Sequence, residues 1–163
     1  MTSFSATRLL SAAVLFGSLG LTSTASHAAG AFDGMSGYWN GGGRVQLSDG
    51  STERIRCRAS YAVAGGGRLL QQTLVCASDS ARFDITSHVE ENGGRLTGTW
   101  SEATRNVSGQ VSGTAQGGSI NAQVGGPGFS ASLAVSTRGS SQSVTITPQG
   151  SDIRNVSVSL KKR

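Results

Sequence analysis

Residues 54–77 read RIRCRASYAVAGGGRLLQQTLVCA, and this stretch decides the fold. Its two halves alternate apolar and polar side chains, which is the two-residue period of a β-strand. A reversal at Gly66-Gly67 places Cys57 opposite Cys76 and Tyr61 opposite Gln72. Directly opposed Cα atoms in an antiparallel pair are about 4.5–5.5 Å apart, which a disulfide accepts. The stretch therefore predicts a β-hairpin closed by a Cys57–Cys76 disulfide.

Residues 1–28 are typical of a secretory signal peptide. Arg8 supplies a positive charge, Leu9 to Leu21 is apolar, and Ser26-His27-Ala28 offers small residues for cleavage. The apolar run is shorter than the ~20 residues that a membrane-spanning helix needs. We expect one domain from residue 29 to 163, periplasmic or secreted and not membrane-spanning after cleavage, which suits a disulfide.

The rest of the chain repeats the pattern of the hairpin, with short alternating runs separated by glycine-rich turns. The strongest turn signal is Asn92-Gly93, which favours a two-residue hairpin loop. We predict an all-β antiparallel meander of about eight to ten strands. Closure into a calycin-like barrel would remove the unpaired edges of this sheet. A β-sandwich is the alternative.

The turn at Asp49-Gly50 sets the register of the first strand against the hairpin. A strict two-residue turn would put Val45 on the face that carries the arginines. Because a slip of one residue exchanges the two faces of a strand, we predict a longer turn or a glycine bulge. This register pairs Val45 with Ile55 and Trp39 with Tyr61.

Arg54, Arg56 and Arg58 lie on the outer face of the second strand. A lipid-facing arginine costs ~2–4 kcal/mol at the bilayer midplane, so we expect a barrel that is not embedded in a membrane. The arginines are either a strip that binds an acidic polysaccharide, a lipid headgroup or an acidic protein, or a solvated face. We favour the solvated face, with Asp79 opposite Arg54 as a partial counter-charge. The formal net charge is +5, but aromatic residues are few, so we expect no nucleic acid partner.

Residue types that carry catalysis are scarce. His88 is the one histidine after residue 28 and takes an outward position in its strand. Glu102 shares the inner face with Trp100, and we expect Arg105 to pair with this carboxylate at the rim, in preference to a general acid. The chain has no nucleophile motif and too few ligands for a metal. The sequence therefore predicts no enzyme, no catalytic residue, no cofactor and no metal, with a hydrolase as the least favoured alternative.

Gly37-Tyr38-Trp39 opens the first strand and resembles the Gly-x-Trp element that begins lipocalin and other calycin barrels. The resemblance implies that Trp39 closes one end of the barrel and that Arg154, near the C-terminus, packs on it. The chain departs from lipocalins because no helix precedes its last strand.

A second resemblance covers essentially the whole chain after residue 28 and rests on four stretches: Trp39-Asn40-Gly41-Gly42-Gly43, Arg56-Cys57-Arg58, Cys76-Ala77-Ser78-Asp79-Ser80 and Gly98-Thr99-Trp100-Ser101-Glu102. They resemble a group of small exported bacterial proteins that have no assigned activity. Small exported protease inhibitors with a calycin-like barrel and one disulfide are a third resemblance. Both imply a periplasmic or secreted protein.

We expect this protein to bind and not to catalyse. The ligand is a small apolar or amphipathic molecule inside the barrel, or an envelope component on its surface. The candidate ligand-binding residues are Trp39, Tyr61, Gln72 and Trp100, for which core packing is the favoured alternative role. The alternative function is an inhibitor or interaction module that engages an envelope protein through an exposed segment, residues 29–36. An inner void of a few hundred Å3 would support a carrier, and a filled barrel would exclude it.

Overall fold

The computed structural model describes residues 29–163. It contains ten strands: β1 (Gly37–Leu47), β2 (Thr52–Ala64), β3 (Leu69–Ala77), β4 (Arg82–Asn92), β5 (Arg95–Glu102), β6 (Val107–Gln116), β7 (Ser119–Gly126), β8 (Phe129–Arg138), β9 (Ser141–Gln149) and β10 (Ile153–Lys162). Every strand pairs with its neighbours in sequence, and β1 pairs with β10. The predicted closed antiparallel barrel is therefore confirmed. The predicted signal peptide, residues 1–28, lies outside the described residues.

The hairpin of β2 and β3 has the predicted register. Cys57 pairs with Cys76 and Tyr61 with Gln72. A disulfide joins the two cysteines, whose Cα atoms are 4.1 Å apart and whose side chains are buried. The turn at Gly65–Gly67 has positive φ at all three glycines, a conformation that other residues rarely adopt.

The register between β1 and β2 differs from the prediction by two residues. Val45 pairs with Glu53 and not with Ile55. The predicted glycine-closed longer turn is present: the Leu47 amide donates to the Ser51 carbonyl, and Gly50 has a φ of 87°. A three-residue hairpin loop needs a left-handed residue in its third position, and Gly50 takes that position when residues 47 and 51 face each other. The shift is an even number of residues, so the apolar side chains stay on the predicted inner face.

Three glycines bring β1 close to the strands on both sides. A Cβ atom on Gly41 would overlap the backbone carbonyl of Ser159, and one on Gly43 would overlap that of Ser157. A Cβ atom on Gly42 would approach the backbone of β2 in the same way. The glycines therefore permit the tight bend at which β1 and β10 close the barrel.

Residues 30–36 fold over one end of the barrel. The Phe32 amide donates to the Gly67 carbonyl at 2.9 Å, and the side chains of Phe32 and Met35 are 1% and 3% exposed. Both side chains belong to the main hydrophobic core. The prediction that residues 29–36 form an exposed arm is therefore wrong for its apolar side chains, because their burial stabilises the fold.

Within residues 29–163, no helix is long and apolar enough to cross a membrane.

Candidate functional site

The two ends of the barrel are built differently. At the plugged end, where β1 begins and β2 finishes, residues 30–36 cover the lumen. At the opposite end, which we call the open end, the strands are joined by the turns 48–51, 78–81, 103–106, 127–128 and 150–152. Within residues 29–163, no additional segment lies across these turns. Any access to the lumen is therefore from the open end.

Trp39 lies at the plugged end and has no exposed surface. Its indole Nε1 donates to the Met35 carbonyl at 2.7 Å. It pairs with Ala59, and not with Tyr61 as predicted. The Tyr61 ring still meets it edge-on, with ring centroids 6.2 Å apart. Trp39 therefore fills the plugged end and offers no surface to a ligand there.

A lysine, and not Arg154, covers the Trp39 ring. Lys162 stands opposite Trp39 in the register of β1 and β10, and its Nζ lies 5.9 Å from the ring centroid. The same Nζ donates to the Gly34 carbonyl at 3.0 Å. Arg154 is exposed nearer the other end of β10. The lysine thus ties the last strand to the segment that plugs the barrel.

Tyr61 and Gln142 form a polar crossing of the lumen just beneath the plug. The Tyr61 hydroxyl donates to Gln142 Oε1 at 2.7 Å, and Gln142 Nε2 donates to Thr137 Oγ1 at 2.9 Å. Burial raises the pKa of Tyr61 to about 12, against the smaller lowering effect of its hydrogen bond with Gln142. Because β1 and β10 separate β2 from β9 in the sheet, this contact spans the interior and forms a floor for the open half.

Apolar side chains that point inward remain partly exposed in the open half of the barrel. They are Phe83, Ile85, Trp100, Val124, Leu133, Ile146 and Val156. Inward-facing residues near the plug, such as Leu96 and Leu160, are 1% and 2% exposed. Val45, Ile55 and Ala131 of the same half are buried, so the seven partly exposed side chains form an apolar wall along only part of its circumference. An apolar wall is the usual lining of a small-molecule site.

Trp100 lies on a row of glycines inside this wall. It pairs with Gly109, and Gly125 and Gly126 follow on β7 at the same level of the barrel. The indole Nε1 donates to the Gly125 carbonyl at 3.3 Å, and the ring meets Phe129 edge-on with centroids 5.7 Å apart. A Cβ atom on Gly126 would lie 3.4 Å from Cζ2 of the indole, so the absent side chain of this glycine leaves space for the ring. Trp100 and Phe129 consequently form an aromatic wall at the open end.

Gln72 supplies a polar group at mid-depth. It accepts a hydrogen bond from the Ser87 hydroxyl at 3.1 Å, and Ser87 pairs with Trp100. Among residues 29–163, no side-chain or backbone acceptor takes a hydrogen bond from the Gln72 amide nitrogen, and no buried polar side-chain atom lacks a partner. The Gln72 amide nitrogen is therefore accessible. The structure brings Gln72 and Trp100 to the open half and leaves Trp39 and Tyr61 beneath the plug; a ligand-binding role for these four residues stays a prediction.

Glu102 organises the rim of the open end. Its side chain accepts hydrogen bonds from the backbone amides of Asp84 and Arg105, at 3.0 and 2.8 Å, and from the amide and hydroxyl of Thr104. Burial acts to raise the pKa of Glu102, but these hydrogen bonds together outweigh it and lower the pKa to about 2. The carboxylate is therefore ionised at neutral pH and has no proton to donate as a general acid.

Arg105 is the predicted partner of Glu102, and this ion pair is present with Nη1 and Oε2 3.5 Å apart. The guanidinium carbon also lies 4.7 Å from the centroid of the Phe83 ring. The Arg105 side chain remains 49% exposed. Nη1 also donates to the Arg82 carbonyl and to Thr104 Oγ1, whereas Nε and Nη2 make no hydrogen bond within residues 29–163 and are free for another anion at the rim.

Three further residues of the lumen, Ser87, Phe129 and Gln142, are not among the predicted site residues. Ser87 and Gln142 are polar residues at inward positions of alternating strands, and this departure from the pattern is the signal that could have found them. Alternation with Ala131 and Leu133 places Phe129 inward, but its contact with Trp100 depends on the curvature of the barrel and has no local signal. In the part of the chain that the structure describes, no three His, Cys, Asp or Glu side chains could hold a metal ion.

No family model matches the chain, and no curated protein matches its sequence. Among solved structures, the chain is similar to the S-type phycobiliprotein lyase CPES from Guillardia theta, with a TM-score of 0.58 and 10% sequence identity. The match covers 81% of this chain and 89% of that chain. At this identity the likeness shows a shared fold alone.

Proposed function

We propose that the protein binds a small amphipathic ligand in the open half of the barrel and releases it unchanged. The observation that carries this proposal is the contrast between the two ends. Several inward apolar side chains of the open half, such as Trp100, Leu133 and Ile146, keep solvent contact, whereas Trp39, Leu96 and Leu160 near the plug are buried. Burying that wall against an apolar ligand is favourable by about 25 cal/mol per Å2 of apolar surface.

The apolar part of the ligand would lie between the aromatic wall and the aliphatic wall. Trp100 and Phe129 form the first, and Leu133 and Ile146, which pair across β8 and β9, form the second. The hydrogen bond between Tyr61 and Gln142 limits the depth that a ligand can reach. The site is thus short and open, which suits a compact ligand better than a long chain.

The polar part of the ligand would remain at the rim. Arg105 offers a half-exposed guanidinium above Phe83, and Gln72 offers an amide donor beside Trp100. Both are donors, and Arg105 is a cation, so an anionic head group is favoured over a cationic one. We propose a non-enzymatic role because the one buried carboxylate of this rim, Glu102, is committed to the backbone of its own turn.

The predicted signal peptide and the disulfide support a role in the periplasm or outside the cell. An inhibitor or interaction module remains the alternative function. The segment proposed to contact a partner, residues 29–36, does not offer its large apolar side chains for this, since Phe32 and Met35 are buried in the plug.

Titration of the purified protein with the dye anilinonaphthalene sulfonate tests the proposal, because the dye combines apolar rings with one anionic group. We expect saturable binding with energy transfer from Trp100. Leu133→Glu places a charge on the wall and should weaken binding by about tenfold or more, a loss of about 1.4 kcal/mol. The matched control is Ala134→Glu, on the exposed outer face of the same strand, which should bind as the parent does.

Absence of saturable binding to the parent protein, or equal binding by both glutamate variants, would overturn the proposal. If Leu133→Glu fails to fold, as judged by circular dichroism, the Arg105→Gln variant tests the proposed ligand site instead. This variant should weaken displacement of the dye by decanoate and leave displacement by decanol unchanged. If Arg105→Gln changed displacement by decanoate and by decanol equally, Arg105 would not bind the anionic group of the ligand.

A further inference from the structure

We propose that a basic groove on the outside of the barrel binds an acidic polysaccharide. The groove crosses β2, β1, β10 and β9 and has a volume of about 540 Å3. Its charged lining is Arg44, Arg54 and Arg56, and its polar lining includes Ser143, Thr145 and Ser157. It lies on the outer face and shares no residue with the open-end wall, so it is independent of the proposed ligand site.

Two arginines of this groove stand side by side on neighbouring strands. Arg44 pairs with Arg54 in the register of β1 and β2. Directly opposed side chains in an antiparallel pair have Cβ atoms about 4.5–5.5 Å apart, and like charges there are destabilising. The stability of the fold therefore does not explain why two arginines stand next to each other. An anion bound between the two guanidinium groups would explain it.

The expected counter-charge is absent from its predicted place. Ala77, the last residue of β3, pairs with Arg56, so Asp79 lies in the turn beyond the strand, and within residues 29–163 no ion pair joins it to Arg54. Within residues 29–163 the ion pairs between side chains are Arg82–Asp84 and Arg105–Glu102. The guanidinium groups of the groove are consequently unneutralised by the described part of the chain.

The floor of the groove is made of backbone and hydroxyl groups. Gly42 and Gly43 contribute no side chain, and the bend that they permit makes the outer surface concave at this point. Ser143, Thr145 and Ser157 surround the glycines with hydroxyl groups that both donate and accept hydrogen bonds. A chain bearing hydroxyl groups and anions matches this surface better than a bare inorganic anion does.

The cationic row extends beyond the groove along β2. Arg54, Arg56 and Arg58 recur at every second residue, which spaces them by about 6.7 Å along the strand. Tyr38, on the same outer face of β1, is 71% exposed. An extended row of cations with an exposed aromatic ring at one side suits a polymer with repeated anionic groups and sugar rings.

A membrane surface and a protein partner fit the groove less well. Peripheral membrane binding usually inserts large apolar side chains, and the core of a protein interface is rich in aromatic residues. The large exposed apolar residues of the described chain are Tyr38, Leu69 and Phe129, and none lines the groove. Guanidinium groups bind carboxylate and sulfate in a bidentate manner, which is the chemistry of an acidic polysaccharide.

Binding to heparin oligosaccharide, measured by calorimetry over a series of salt concentrations, tests the proposal. Arg44→Gln/Arg54→Gln should weaken binding by about tenfold or more, and the salt dependence should fall by roughly one unit of slope for each arginine replaced. The matched control, Arg95→Gln/Arg138→Gln, removes the same charge from exposed arginines of β5 and β8. It should leave the slope unchanged.

If both double variants lost heparin affinity equally, net charge alone would govern binding, and the proposal of a binding site in the groove would be wrong. Stronger binding to phosphatidylglycerol vesicles than to heparin, with the same dependence on Arg44 and Arg54, would replace the polysaccharide by a lipid surface. Leu133→Glu should bind heparin as the parent does. The proposal for the ligand site and the proposal for the groove can therefore be rejected independently of each other.

Discussion

The Tyr61 hydroxyl donates to Gln142 Oε1 across the barrel lumen, and the two residues are separated by 81 positions in the chain. This hydrogen bond joins the first hairpin to the last. It marks the boundary between the plugged end, which is closely packed, and the open half, whose wall retains contact with solvent. The packing of the plugged end against the open half therefore depends on this pair.

Tyr61→Phe should lower the free energy of unfolding by about 1–3 kcal/mol, because it leaves a buried amide oxygen of Gln142 without its donor. Urea denaturation monitored by circular dichroism measures the change. Tyr38→Phe is the matched control, since Tyr38 is exposed and its hydroxyl makes no side-chain hydrogen bond within residues 29–163. Equal stability of the two variants would contradict the role of the crossing.

The same residue predicts a loss of stability at alkaline pH. Burial raises the pKa of Tyr61 from 10.0 to about 12, so the unfolded chain loses this proton at lower pH than the folded protein does. Stability should be unaffected by this group below pH 10 and should fall between about pH 10 and 12. Tyr61→Phe should be less sensitive to pH over this range than the parent, and an unchanged profile would contradict the assignment.

Glu102 predicts the opposite dependence at acid pH. Its pKa is lowered from 4.5 to about 2, so its contribution to stability is present above pH 4.5 and is lost as the pH falls towards 2. Glu102→Gln should therefore lower the melting temperature at neutral pH and have little effect near pH 2. Glu90→Gln, on the exposed outer face of β4, serves as the control. A destabilisation by Glu102→Gln that is the same at both pH values would contradict the charge-dependent role.

Two glycines of the barrel should differ sharply in their tolerance of alanine. Gly43→Ala places a Cβ atom into the backbone of β10 at Ser157, and such overpacking costs about 1–3 kcal/mol or more. Gly125→Ala adds the same atom where no other atom lies within 4 Å. Thermal unfolding of both variants should show a large destabilisation for the first and little change for the second. Similar melting temperatures would mean that the β1–β10 junction relaxes.

The parts of the fold that could be predicted from sequence are those with local signals, although the loop predicted at Asn92-Gly93 lies one residue later, at Gly93-Gly94. The symmetric arrangement of Cys57 and Cys76 about the glycine turn determined one hairpin register correctly. Closeness in sequence also identified Arg105 as the partner of Glu102, because the two residues are three positions apart. The register of β1 failed because alternation identifies the face of a strand but not its offset, and the offset was decided by the position of Gly50 in its loop.

The plug and the lumen crossing could not be obtained in this way. Phe32 and Met35 lie in a short segment without periodicity, so nothing in the sequence distinguishes a buried plug from an exposed arm. Tyr61 and Gln142 each face inward by alternation, but their contact depends on how many strands separate β2 from β9 and how the sheet curves. Those quantities belong to the closed barrel as a whole.

The junction of β1 with β10 has a consequence for how the protein is made. Every other strand pair joins neighbours in sequence and can form as the chain emerges. The pairing of Gly37–Leu47 with Ile153–Lys162 can form only after the last strand has emerged. If the chain crosses a membrane N-terminus first, as we predict from residues 1–28, the barrel cannot close before translocation is almost complete. The hairpin that carries Cys57 and Cys76 would reach the oxidising compartment much earlier. Its disulfide could then hold one correct strand pair in place while the remaining strands are still arriving.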